Sequence, residues 1–139
     1  TTCNDHGRET ADVIDRATKQ LLMGNHTVIH NGSCEHQPDV AHRLAATIAD
    51  VVQHVVERSN VRCLCIAGGD TSGYVAKQMS IESLTMLAPF VRGAPLCRAS
   101  APDKPADGLE VVFKGGQVGT EDFFTKLANP RCKTPRAPS

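Results

Sequence analysis

The chain has 139 residues, a length that fits one domain, and its 40% hydrophobic content is enough for an ordinary core filled by Val, Leu, Ile and Ala. Fifteen basic and 15 acidic residues cancel to a formal net charge of zero, and no basic stripe interleaved with aromatics occurs, which argues against nucleic-acid binding. No apolar run approaches the length of a membrane span, and the polar start from Thr1 to Arg8 has no signal-peptide pattern.

Arg8 to Met23 reads as a helix, because Val13, Ile14, Ala17, Leu21 and Leu22 share one face and Gly24 is a natural stop. Thr27 to His30 is a short β-rich run, followed by the turn cluster Asn31-Gly32-Ser33. Pro38 and Asp39 open a second helix that reaches about Arg58, with the apolar stripe Val40, Leu44, Ile48, Val51, Val52, Val55 and Val56. Val61 to Ala67 is a nearly continuous apolar strand, as expected when both faces of a sheet are covered. After a glycine turn, Tyr74 to Met79 reads as a short helix. Leu84 to Leu87 and Pro95 to Arg98 are strands separated by Arg92-Gly93. Ser100 to Asp107, with Pro102 and Pro105, reads as a surface loop. Leu109 to Phe113 is a strand, and Glu121 to Leu127 a last helix with Thr120 as its N-cap. These elements predict one α/β domain over residues 1–129, with a mixed, largely parallel sheet and helices on both faces. The proline-containing tail at 130–139 is expected to be loose. The chain opens on Thr1 without a methionine, so an excerpt of a longer protein is expected.

The segment Gly68-Gly69-Asp70-Thr71-Ser72-Gly73 lies between a strand and a helix start. That arrangement presents backbone N–H groups to an anion. Thr71 and Ser72 add hydroxyl donors, and Asp70 becomes useful if an Mg²⁺ stands between it and a phosphate. The plainer alternative is a tight strand–helix turn with Asp70 or Thr71 as N-cap. A second turn, Lys114-Gly115-Gly116-Gln117-Val118-Gly119, offers Lys114 as a point charge and glycines for close approach, or else a solvated lysine on a β-to-α connection. Neither turn matches GxxxxGK[ST] or GxGxxG. Together they point to a phosphorylated, metal-bound ligand, because open sheets gather ligands at the carboxyl ends of their strands.

Other candidates are weaker. His30, Cys34 and His36 fit no standard zinc spacing and read as a loop. His42 and His54 read as boundary residues of the second helix. Ser33 and Ser72 lack a nucleophile signature, so a hydrolase has no support. Cys63 and Cys65, two apart in a strand, share one face and cannot comfortably bridge each other. With Cys3, Cys34, Cys97 and Cys132 they read as cytosolic thiols.

The ordered set Gly68-Gly69-Asp70-Thr71-Ser72-Gly73, then Arg92-Gly93-Ala94-Pro95-Leu96-Cys97-Arg98-Ala99, then Leu109 to Gly119 and Asp122-Phe123-Phe124, resembles the C-terminal, nucleotide-binding domain of the four-carbon acid sugar kinases. That family's turns look like GGDTSG, PGVPLCRA and KGGNFG, and the resemblance runs from about Ala11 to Leu127. It implies contacts from Gly68, Gly69, Asp70 and Thr71 to ATP phosphates, with Ser72 and Gly73 completing the turn. It further implies a contribution from Gly116, with Lys114 and Gly119 nearby. The cofactors implied are ATP and Mg²⁺. Two departures stand out: Gln117-Val118 where Asn-Phe is usual, and Arg92 where Pro is usual.

Such kinases have an N-terminal, substrate-binding domain with an acid-rich motif of the type ADDLTGA, and a serine-containing SGS segment upstream; neither is in this chain. The resemblance therefore implies the distal half of a cytoplasmic kinase for threonate, erythronate or a 3-oxo-tetronate. The catalytic base is expected on the missing half, and the isolated chain is expected to be inefficient. A homo-oligomer stays open. The alternative from another class is a non-catalytic nucleotide-binding or regulatory module.

Overall fold

The computed structural model describes residues 5–30 and 38–128. Its elements run α1 (Asp5–Leu22), α2 (Pro38–Arg58), β1 (Cys63–Ala67), α3 (Gly69–Gln78), β2 (Ser83–Val91), β3 (Ala94–Ser100), β4 (Glu110–Lys114) and α4 (Phe123–Ala128). The strands form one open sheet in the order β1-β4-β3-β2. The sheet is mixed, as expected. Parallel pairing is confined to β1 and β4, while β2–β3 and β3–β4 are antiparallel. The tip Arg92-Gly93 reverses the chain in two residues, which only an antiparallel pair allows.

Helices cover both faces, because side chains alternate along each strand. Leu64 and Ile66 of β1 and Val111 and Phe113 of β4 pack with Ala49, Val52 and Val56 of α2 and Val75 and Met79 beside α3. Cys63, Cys65 and Val112 face the other way, toward Phe123 and Leu127 of α4. α1 lies outside α2, where Ile14 and Ala17 meet Val51 and Val55. The adjacent valine pairs of α2 thus serve two interfaces, Val51 and Val55 toward α1, Val52 and Val56 toward the sheet. Each buried valine is worth about 1.5 kcal/mol or more.

Several boundaries differ from the sequence reading. Thr27 to His30 is not a strand; it joins no ladder among the described residues, and Val28 stays 65% exposed. β-propensity without a pairing partner does not hold a strand. The third helix starts at Gly69 rather than Tyr74, since Ser72 N–H already bonds Gly68 C=O at 2.9 Å. The loop after β3 is not all surface. Ala101 and Ala106 are buried in the main core, and Asp107 turns its carboxylate back to accept from Ala101 N–H at 2.9 Å. α4 starts at Phe123, so Thr120 stands ahead of the cap position and its hydroxyl donates to the Asp122 carboxylate. That bond and Lys126 hold the Asp122 carboxyl below the usual range. The tail at 130–139, Ser33, Cys34, His36, Cys3 and Cys132 lie outside the described residues.

Ser80 ends α3 at φ +56°, in the left-handed region where a helix C-terminus normally places glycine; Ile81 N–H reaches Ala76 C=O at 2.9 Å across it. A side chain there costs about 1 kcal/mol. Ser80→Gly is expected to stabilise the chain by about 0.5–1 kcal/mol in urea unfolding, and an unchanged or lowered midpoint would refute this account of the cap.

Candidate nucleotide site

The register places three turns at one end of the sheet. Ala67 at the end of β1 pairs with Lys114 at the end of β4, and Val91 at the end of β2 pairs with Ala94 at the start of β3. The β3–β4 register, Cys97 with Val111 and Arg98 with Glu110, continues to set Ala94 level with Lys114. Gly68, Gly115 and the tip Arg92-Gly93 therefore emerge side by side.

The first two turns are directly joined. Gly68 N–H donates to Lys114 C=O at 2.9 Å. Gly68 sits at φ +109°, a conformation that a side chain resists, and it launches α3 without a side-chain cap. The N–H groups of Gly69, Asp70 and Thr71 open the helix, where no i−4 carbonyl exists to receive them. They form the positive end of the helix dipole. Ser72 does not supply a free donor, since its hydroxyl bonds Gly68 C=O at 2.7 Å. Gly69, Asp70 and Gly73 are exposed, and a Cβ at Gly69, Gly73 or Gly116 would meet nothing within 4 Å.

Lys114 differs from the expected exposed charge. It is 8% exposed, and its ammonium donates to Gly115 C=O at 3.1 Å and Val118 C=O at 2.8 Å, 5.3 Å from the centre of the Phe123 ring. The lysine staples the second turn from inside. Gly119 closes that turn at φ +97°, with the Phe123 ring so near that a Cβ would stand 2.6 Å from it. Cys65 shares this face. Burial first, and Cys63 beside it, push its thiol up to about 11, with Lys114 opposing. Cys63, Cys65 and Cys97 form no disulfide.

Asp70 has the donor chemistry for a magnesium ion. It forms no ion pair among the described residues, which also contain no preformed group of three or more His, Cys, Asp or Glu. One carboxylate beside phosphate oxygens and water is a common Mg²⁺ environment. His42 approaches the same end, a placement that sequence reading missed. Its Nδ1 lies 3.4 Å from the hydroxyl of Tyr74, one turn along α3 from Asp70. A separation of 32 residues left no local signal for that pair. A cavity of about 330 Å³, bordered by Gln53, Gln78, Ser80 and Asp103, lies at the opposite end, beside the C-terminus of α3 where the dipole disfavours anions.

The family model described as nucleotide-binding C-terminal domain matches residues 2–124. The chain belongs to this family. This domain is 31% identical over 144 residues to a 3-oxo-isoapionate kinase of Paraburkholderia graminis, covering 91% of the chain and 31% of that protein. It is 31% identical over 90 residues to a 3-oxo-tetronate kinase of Methylobacterium radiotolerans, covering 64% of the chain and 20% of that protein. The domain thus spans about a third or less of these curated relatives, and the resemblance to the C-terminal domain of four-carbon acid sugar kinases holds. The fold is shared with a domain of unknown function from Bordetella bronchiseptica, crystallised with citrate as a domain-swapped dimer (TM-score 0.68, 18% identity, 91% of this chain and 31% of that one). A Haemophilus influenzae protein also shares it (TM-score 0.53, 17% identity, 81% of this chain and 29% of that one).

Two outcomes follow from the geometry. Gly119→Ala is expected to cost about 2–4 kcal/mol, since it meets both a positive φ and the Phe123 ring. Gly116→Ala should stay within about 0.5 kcal/mol of the parent. Equal urea midpoints for the two variants would contradict this. Cys65 gives a pH signature. Below pH 9.0 folded and unfolded thiols are both protonated; between 9.0 and about 11 the unfolded chain releases a proton that the folded chain keeps. Stability should therefore fall as pH rises through that window. Cys65→Ala should make the fall shallower in urea midpoints measured from pH 8 to 11, and an unaltered slope would contradict it.

Proposed function

We propose that this chain is the ATP-binding domain of a kinase that phosphorylates the terminal hydroxyl of a four-carbon sugar acid, from the class of threonate, erythronate or 3-oxo-tetronate. The observation that carries this reading is the bond from Gly68 N–H to Lys114 C=O, which holds two glycine turns together at the carboxyl ends of two parallel strands. The open space beside Gly69, Gly73 and Gly116 suits close approach of a polyphosphate to the backbone. The names of the curated relatives favour a 3-oxo acid.

In this reading the residues of the chain bind and orient. The N–H groups of Gly69, Asp70 and Thr71 receive phosphate oxygens, Gly116 supplies a second backbone wall, and Lys114 and Gly119 fix the shape of that wall. Ser72 and Gly73 complete the first turn. Asp70 would hold Mg²⁺, which when bound neutralises phosphate charge. The substrate hydroxyl oxygen forms a bond to the γ-phosphorus while the bond to the ADP oxygen breaks, and the hydroxyl proton passes to a base on the N-terminal half. Residues 1–129 would form the folded C-terminal half and 130–139 its tail. No helix among the described residues is long and apolar enough to cross a membrane. The unlinked thiols of Cys63, Cys65 and Cys97 suit a cytoplasmic placement. A homo-oligomer fits the same reading.

Calorimetry tests it. The chain should bind ATP–Mg²⁺ with micromolar affinity, and Gly69→Val should weaken binding at least tenfold without lowering the melting temperature, because its side chain enters space that the fold leaves empty. A folded chain that takes up no ATP, or a Gly69→Val variant that binds as well as the parent, refutes the proposal.

A further inference from the structure

The first turn, Gly68 to Gly73, carries no basic residue, and the lysine of the second turn has its ammonium engaged by two carbonyls. Mg²⁺ held by Asp70 would neutralise only part of the charge of a tetra-anionic polyphosphate, and the backbone N–H groups supply no further cation. The third turn at this end supplies one. Arg92 stands at the tip of the β2–β3 hairpin, just beyond the level set by Ala67, Lys114, Ala94 and Val91. It is exposed, and it has no carboxylate partner among the described residues.

The hairpin tip is firmly tied to the second turn. Phe90 packs edge-on against Phe123 with ring centres 5.2 Å apart. Leu87, Phe90 and Val91 share one cluster with Val118 of the turn and with Ala94, which is fully buried. With strands about 4.8 Å apart, the tip stands roughly 7 Å from β4, within reach of an extended arginine side chain across the glycine turn. A guanidinium offers a planar fork of donors matched to phosphate oxygens.

We propose that Arg92 is a phosphate-binding residue of the nucleotide site. It supplies to the polyphosphate of ATP the charge that Lys114 spends inside its own turn. This rests on the nucleotide reading above and adds a residue which neither glycine turn contains.

The test measures ATP–Mg²⁺ binding by calorimetry on the full chain, comparing the parent with Arg92→Ala, Arg92→Lys, Gly69→Val and Lys104→Ala. Lys104 lies in the loop at the opposite end of the sheet and controls for general loss of charge. Arg92→Ala should weaken binding about tenfold with an unchanged melting temperature. Arg92→Lys should retain part of the affinity, Lys104→Ala all of it, and the Arg92→Ala deficit should shrink as salt is raised. Binding by Arg92→Ala within twofold of the parent, while Gly69→Val abolishes it, overturns the role of Arg92 and leaves the nucleotide site standing. No binding by the parent overturns both.

Discussion

The bond from Gly68 N–H to Lys114 C=O is the last rung of the parallel ladder between β1 and β4, and the geometry of the glycine-turn end depends on it. A single backbone hydrogen bond contributes only about 1 kcal/mol of net stability. Its importance here is positional. It lies where both strands release the chain into glycine turns, so it sets the height of one turn against the other. The start of α3 follows directly, because Gly68 C=O then accepts from Ser72 N–H and from the Ser72 hydroxyl. Position and helix direction are fixed within five residues, and the N–H groups of Gly69, Asp70 and Thr71 have no i−4 carbonyl within the helix.

The second turn is held by a different device. A buried ammonium without partners would cost several kcal/mol. Lys114 avoids that cost by donating to two carbonyls of the turn that follows it and lying near the Phe123 ring. The same contacts bring Phe123 under Gly119 and tie α4 to the turn. Phe123 in turn meets Phe90, so the β2–β3 hairpin is referenced to the same ring. One aromatic side chain thus coordinates the second turn, the last helix and the hairpin tip.

Much of this was legible locally and some could not be. The periodic stripes of α1 and α2 were plain, because helical burial repeats within the sequence itself. The two-sided burial of α2 was hidden in its paired valines, which read as one broad stripe until a helix is placed on either side. Gly69 and Gly73 read as loop because glycine disfavours helix, yet Val75 and Met79 in the core hold that first turn helical. Thr27 to His30 had the composition of a strand, but composition carries no information about a partner. The alanines at 101 and 106 sat among prolines and polar residues and gave no sign of burial. The direction of the Lys114 side chain was the hardest to read, since a lysine stem can reach solvent or fold back. The register that brings Arg92 level with the glycine turns joins residues far apart in sequence, and no local pattern records it.

Five of the six glycines in the two turns divide into two groups, and the division bears on the proposed function. Gly68 and Gly119 are demanded by the fold itself, through positive φ and, at Gly119, a ring in the way. Gly69, Gly73 and Gly116 have no such demand: their φ is ordinary and the space beside them is empty. Glycine inside a helix costs about 0.5–1 kcal/mol relative to alanine, so Gly73 weakens α3 without any return that the chain's own packing supplies. Two of these three lie on α3 and the third in the turn joined to it, all at the end where α3 begins. Gly7 inside α1 is a like case elsewhere, but at the two joined turns the choice is accounted for if something outside the chain must approach that backbone closely.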